Sequence, residues 1–281
     1  MYKKLEKEDV IINKKEAIKA LNKMLESFIN DPAEKHLKKA NLISYWLKDY
    51  VSLINFEEKF EPTKNIAYKR GNIVKLNFGF NIGSEYGGLH YAIVLDKHND
   101  HNSPVVTVIP LTSTKHNKSI HPNSVELGNE LYRLLKIKFD TISKSLEEEQ
   151  NEAKELLKMM DTLFPLAEAE ISNANDSPEG SEEYNTHIME GKSYLDTIEK
   201  LKNSWQEKLQ HNVNELEYLN KINDEIIQMK EGSVALVNQI TTVSKMRIFD
   251  PRNIHGVLSG ISLSSESMER INKKVKELYI F

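Results

Sequence analysis

The sequence predicts an α+β protein: a small β barrel interrupted by a long antiparallel helical hairpin and preceded by a helical region. Three observations lead there. Apolar residues recur at period two between residues 68 and 127 and again from 233 onward, which is a strand pattern. A hundred residues between those blocks carry apolar residues at three- and four-residue steps, which is a helical pattern. The strands on either side of the helical stretch are each too few to close a sheet, so one barrel split by an insertion is the economical arrangement. The expected boundaries are 1–65 for the N-terminal helical extension, 66–130 with 232–281 for the barrel, and 131–231 for the insertion.

Taken in order, Ala17, Ile18, Leu21, Met24, Leu25 and Phe28 fall on one face of a first helix. Asn30-Asp31-Pro32 then offers a cap and a first-turn proline for a second helix through Leu37, Ala40, Ile43, Trp46, Leu47, Tyr50 and Ile54. Burial against the rest of the protein or a second copy is expected of this pair. Glu61–Asn65 is a linker. Strands are expected at Gly71–Phe78, Tyr91–Leu95, Pro104–Thr112 and Asn123–Leu127, with a polar glycine-bearing loop, Gly83-Ser84-Glu85-Tyr86-Gly87-Gly88-Leu89-His90, before the second. Leu131 to Ala167 and Leu195 to Ile226 form two apolar seams joined by a turn-rich break at Asn173–Gly180, a coiled-coil-like hairpin. Strand pattern resumes at Ser233–Val243 and extends to Ile248, with a short closing strand at Val257–Ile261. A final helix over Ser264–Tyr279 has Ser264 or Ser265 as N-cap and its lysines late, as the helix dipole favours.

Composition excludes several chemistries. The 281 residues contain no cysteine, so disulfides, thiol nucleophiles and cysteine-based zinc sites are ruled out. No apolar run is long enough for a transmembrane helix, and the first residues lack the apolar stretch of a signal peptide. A cytoplasmic protein with no membrane partner is expected. Residues 131–231 hold 12 of the 38 basic and 22 of the 42 acidic residues, leaving 26 basic and 20 acidic elsewhere. Any polyanion therefore belongs on the barrel and extension rather than on the hairpin. His98, His101, His116 and His121 sit in two adjacent loops without further ligand pattern, so no metal site is expected.

Arg70-Gly71-Asn72-Ile73-Val74, the loop Gly83-Ser84-Glu85 with Gly87-Gly88, the strand Ala92–Leu95, Ile109-Pro110-Leu111-Thr112, and Asn238–Lys245 together resemble the PemK/MazF family of toxin–antitoxin ribonucleases. The resemblance implies an SH3-like barrel, usually a homodimer, that cuts single-stranded RNA without metal or other cofactor. The ribose 2′-OH is then the nucleophile, and an antitoxin protein blocks the RNA groove. The chain departs from the pattern at His90, which follows Leu89 where many members carry arginine after the two glycines. It departs also at Asn238, acidic in many members, and at Thr241, where arginine is usual.

The residues themselves supply a mechanism. His90 titrates near neutrality and suits general acid–base work on the 2′-OH or the leaving oxygen. The Thr112 hydroxyl, with Ser113 beside it, suits hydrogen bonding to phosphorane oxygens. Lys245 and Arg247 suit charge neutralisation. Ser84, Glu85, Ser113, Asn238, Gln239, Thr241, Lys245 and Arg247 form the expected RNA-binding set; for Ser84, Glu85 and Gln239, shaping the loop stands beside contact with RNA. A non-catalytic module binding nucleic acid or protein is the alternative reading.

Overall fold

A computed structural model describes residues 5–114, 119–230 and 232–280. Its centre is an antiparallel sheet of seven short strands: β1 (Ile73–Asn77), β2 (Leu89–Val94), β3 (Val105–Ser113), β4 (Val125–Gly128), β5 (Ser233–Ala235), β6 (Thr241–Ser244) and β7 (Ile248–Asp250). The order is β4-β5-β3-β2-β1-β7, with β6 also on β3. The nine-residue β3 organises the sheet. Val108–Pro110 pair with β2 on one side, while on the other Val105–Val108 pair with β6 and Leu111–Ser113 with β5. β6 and β7 are separated only by a 3-10 turn over Lys245–Arg247, and β7 pairs with β1. The ladder path itself leaves β4 and β7 at its ends and does not close, so the expected barrel goes further than the observed pairing.

The sheet is buried on both faces, which is why its strands read as nearly continuous apolar runs such as Ala92-Ile93-Val94. One face packs Val74, Leu76, Ala92, Val94, Val106, Val108, Val243 and Ile248 around Tyr68 and Phe78. The other packs Ile73, Ile93, Ile109 and Leu111 against helices. β2 begins two residues earlier than expected, so Leu89 and His90 lie on the strand, opposite Asn77 and Leu76. Residues 233–250 are not one long strand: 3-10 turns at Val237–Gln239 and Lys245–Arg247 break them into three. The expected strand at 257–261 is a run of turns; an isolated bridge joins Asn72 to Ser262 instead. The cause is the Asp250 carboxylate, which accepts the Val257 and Leu258 amides at 3.0 and 2.7 Å and folds that segment back on itself.

Two helices of 47 residues each, α3 (Glu130–Asp176) and α4 (Glu182–Gln228), form the hairpin, each about 70 Å long at 1.5 Å per residue. α3 continues through Asn173–Asp176, and the break is confined to Ser177–Ser181, where the Ser181 hydroxyl caps Tyr184. Beyond its base, the buried positions of α3 are Leu146, Ala153, Met160, Ala167 and Ala174, every seventh residue; in α4 Gly191, Ile198, Asn212 and Leu219 follow the same spacing. Of the seam expected on α4, Ile198, Leu219 and Ile222 are buried, while Leu195, Leu209, Val213 and Leu216 remain exposed. Small residues take the centre because they let the helices approach: a Cβ on Gly191 would sit 3.4 Å from that of Glu170. At the base, Leu131 and Leu135 enter the main core with Met268 and Ile271 of α5 (Ser265–Tyr279). Burying each leucine is worth about 1.5–3 kcal/mol, so the hairpin is anchored in the sheet's own core. Lys75 and Glu225 add a 2.6 Å ion pair between β1 and α4, and Tyr91 donates to the same carboxylate.

Two helices precede the sheet, α1 (Lys7–Ile29) and α2 (Leu37–Phe56). Pro32 does not start the second: Asp31 binds the Ala33 amide and the His36 ring, and the helix begins five residues later. No residue of α1 is fully buried and α2 buries only Ala40 and Ile43, while Leu21, Met24, Leu25, Phe28, Trp46 and Leu47 of the expected faces are half-buried. No described helix is long and apolar enough to cross a membrane. α5 begins as expected, with the Ser264 hydroxyl accepting from the Ser267 amide.

Candidate active site

The loop between β1 and β2 is held by its own residues. Asn81 donates to the Tyr86 carbonyl at 2.8 Å, the Glu85 carboxylate accepts from the Ile82 amide, and Gly88 donates to the Gly79 carbonyl. Gln239, in the 3-10 turn after β5, then clamps the loop from across the cleft. Its side-chain oxygen accepts from the Tyr86 amide at 3.3 Å and its nitrogen donates to the Ser84 carbonyl at 3.4 Å. Glu85 and Gln239 thus shape the loop, and the Ser84 and Glu85 side chains stay exposed.

Tyr86 and Gln239 of that clamp line a cleft of about 490 Å³. Five of the expected site residues line it: Glu85, Asn238, Gln239, Thr241 and Arg247. His90 and Thr112 do not line it. They meet it through Tyr86, a lining residue the sequence reading did not single out. The Tyr86 ring lies 4.6 Å from the His90 ring and 5.6 Å from Phe78, which it meets edge-on. Its hydroxyl donates to the Leu111 carbonyl at 2.6 Å, and the Thr112 side chain interacts with that Tyr86 hydroxyl. The two expected catalytic groups are therefore joined by one aromatic ring.

Burial holds the His90 imidazole below the usual histidine value of 6.5, with a Gly87 backbone hydrogen bond opposing and the Lys230 ammonium adding to the effect. At neutral pH the ring is accordingly neutral and able to accept a proton. Lys230, just past the end of α4, was absent from the sequence reading. It places a positive charge on the His90 side of the cleft. Burial raises the Tyr86 phenol above its ordinary value, so it is a hydrogen-bonding group there and not an ionised one.

The remaining candidates separate. Ser113 pairs with Ser233 in the β3–β5 ladder, beside the cleft. The Arg247 guanidinium donates to the Phe78 carbonyl at 3.2 Å, with its carbon 5.2 Å from the Trp46 ring centroid. Lys245 is fully buried. Its ammonium donates to the Asp100 carbonyl at 3.0 Å over the Tyr68 ring, and burial lowers its pKa. No surface of that side chain is left for a phosphate, so its expected role in RNA binding is replaced by a role in the core. Of the loop histidines, His101 bonds the Asn65 carbonyl and His121 the Asn123 amide, and His116 lies outside the described residues. Among the described residues the grouping that suits a metal is Glu170, His187 and Glu190, far out on the hairpin, where Glu170 and His187 already form a 2.6 Å pair.

Residues 69–158 match the sequence model of the family described as PemK-like, MazF-like toxin of type II toxin-antitoxin system. That match covers about a third of the chain; it bears out the resemblance over β1 to β4 and runs on into the first part of α3, which the resemblance did not include. It takes in Ser84, Glu85, His90, Thr112 and Ser113, and stops before Asn238, Gln239, Thr241, Lys245 and Arg247. No curated protein matches the chain.

Proposed function

We propose that this protein is a PemK/MazF-type endoribonuclease that cuts single-stranded RNA through the ribose 2′-OH. The observation that carries the reading is the junction of His90 and Thr112 on Tyr86 at the edge of the cleft, within a segment matching that toxin family. In this reading neutral His90 takes the 2′-OH proton, the 2′-oxygen attacks phosphorus, and the bond from phosphorus to the 5′-oxygen breaks. The products are a 2′,3′-cyclic phosphate and a 5′-hydroxyl, the latter receiving its proton from the imidazolium or from water. Thr112 donates to a non-bridging oxygen, and Lys230 offsets the developing negative charge in place of the arginine the family pattern leads one to expect. Asn238, Gln239, Thr241 and the exposed edge of Arg247 bind the flanking nucleotides.

The same reading takes the β1, β2, β3, β6 and β7 segments as an SH3-like barrel, supported by β6 and β7 running on from one another to pair with β3 and β1. It divides the chain into extension (1–65), barrel (66–130 and 232–281) and coiled-coil-like hairpin (131–231). The protein acts in the cytoplasm as a homodimer, under control of an antitoxin protein. The test is induced expression and cleavage-site mapping on total RNA, comparing the parent with His90→Ala. Growth arrest with new RNA ends in the parent alone is expected. If parent and variant are equally harmless and no RNA is cut in vitro, the reading is wrong.

One observation favours a second reading, a non-catalytic nucleic-acid- or protein-binding module. Arg247 is engaged by Phe78 and Trp46 and Lys245 is buried, so two of the expected phosphate-neutralising groups are occupied. RNA binding that persists in a His90→Ala, Thr112→Val double variant, with no cleavage by the parent, selects it.

A further inference from the structure

A second cavity, of about 900 Å³, lies between the N-terminal extension and the β6–β7 segment. It is separate from the cleft but shares Arg247 with it. Its walls come from the end of α2, the two 3-10 turns at Glu57–Lys59 and Pro62–Lys64, and residues 245–252. Lys59, Lys64, Arg247 and Arg252 line it, against the carboxylates of Asp49 and Glu61. Both carboxylates have partners: Asp49 accepts from Asn77 at 3.1 Å, and Glu61 pairs with Lys64 at 3.1 Å. The excess charge is positive, in the part of the chain where the basic residues outnumber the acidic.

Three phenyl rings complete the lining. Phe56 and Phe60 lie 6.3 Å apart, and Phe249 faces the cavity from β7. Phe249 is 66% exposed and Phe56 49% exposed. Large aromatic faces left open beside several cations make a surface on which a base stacks while its phosphate is neutralised. Because Arg247 lines both, that surface adjoins the cleft.

We infer that this cavity is a nucleotide-binding site, built jointly by the extension and the β6–β7 segment, that takes one base and its phosphate. Resting on the ribonuclease reading, the nucleotide is a residue of the RNA chain flanking the cleaved bond; a free mononucleotide has the same chemistry. The extension thereby acquires a role in choosing substrate.

The test uses the full chain carrying His90→Ala, so that RNA binds without being cut. Affinity for a fluorescently labelled single-stranded oligoribonucleotide is measured by anisotropy, with Phe249→Ala and, separately, Lys64→Glu added. Both positions are exposed, and circular dichroism checks that the fold persists. Removing one stacking ring is expected to weaken binding about tenfold, and Lys64→Glu to weaken it and flatten its salt dependence. Adenosine monophosphate that binds the parent and not Phe249→Ala, with RNA affinity unaffected by either change, assigns the site to a free nucleotide and supports the shared chemistry. Parent-like binding of both probes by both variants overturns the inference. Failure of the ribonuclease reading shows separately, as absence of cleavage by the His90 parent, and leaves the binding measurements readable.

Discussion

Gly79→Ala tests how the extension is seated on the site. Gly79 has φ of +88°, in the left-handed region, and a Cβ built there would fall 2.7 to 3.0 Å from three atoms of the Trp46 ring. An L-residue in that region costs roughly 1–2 kcal/mol. Trp46 has to move, and its contact with the Arg247 guanidinium at 5.2 Å is worth about 0.5–1 kcal/mol at a partly exposed site. The expected destabilisation is therefore roughly 1.5–3 kcal/mol in all, with the displacement of Trp46 falling on the α2 contact. Because no residue of α1 is fully buried and α2 buries only Ala40 and Ile43, that loss detaches the extension before it unfolds the sheet. The assay is indole emission in a Trp205→Phe background, leaving Trp46 as the sole tryptophan, with hydrogen exchange across residues 37–56. A red-shifted emission and faster exchange in α2, with exchange in β1–β3 unchanged, are expected. Unchanged emission and exchange refute the seating of Trp46 on Gly79.

Further outcomes are expected. The rate of RNA cleavage rises with pH through an inflection below 6.5, since burial lowers the His90 pKa. Lys230→Met slows cleavage and moves that inflection upward, because the lysine's repulsion is gone; an inflection that stays put in a stopped-flow or gel-based pH profile contradicts the role given to Lys230. The same lowered pKa makes the stability tied to His90 fully present above 6.5 and progressively lost as pH falls through the folded-state value, which His90→Gln removes in urea titrations at successive pH values. Asn212 sits in the hairpin seam with its side-chain oxygen lacking a hydrogen-bond partner, so Asn212→Leu raises stability by roughly 1–3 kcal/mol, read by thermal unfolding; a loss contradicts the seam position. Glu225→Gln removes the charged partner of Lys75 and Tyr91 and lowers stability by about 1–3 kcal/mol, and a neutral result in chemical denaturation shows that this pair does not anchor the hairpin.

Much of this arrangement was written locally in the sequence. The strands of residues 73–113 and the helices of the hairpin follow from periodicity, and the cap at Ser264 from the Ser-rich start of α5, because each depends on neighbours within a few residues. What was not legible depended on distant partners. Residues 257–261 have strand-like composition, yet Asp250 draws their amides into turns. Asn238 and Gln239 lie in a strand-like run, but Gln239 reaches back to the 83–88 loop and the backbone turns with it. Lys245 carries the composition of a phosphate ligand and is instead enclosed over Tyr68, which no local pattern reveals. On α4 the hairpin seam also runs through Gly191 and Asn212, a glycine and a polar residue that apolar periodicity does not reveal. At the site, His90 and Thr112 were readable as chemistry-bearing types; Tyr86, which connects them, and Lys230, which faces His90 from another element, were readable only once the chain was folded.

The central claim is most directly tested on a defined single-stranded oligonucleotide containing a mapped cleavage site, prepared with ribose or with 2′-deoxyribose at the nucleotide whose 2′-oxygen attacks. The account predicts that the parent cuts the ribose substrate to a 2′,3′-cyclic phosphate and a 5′-hydroxyl, leaves the 2′-deoxy substrate intact while still binding it, and loses cleavage with His90→Ala. Cutting of the 2′-deoxy substrate, or full activity without His90, contradicts it.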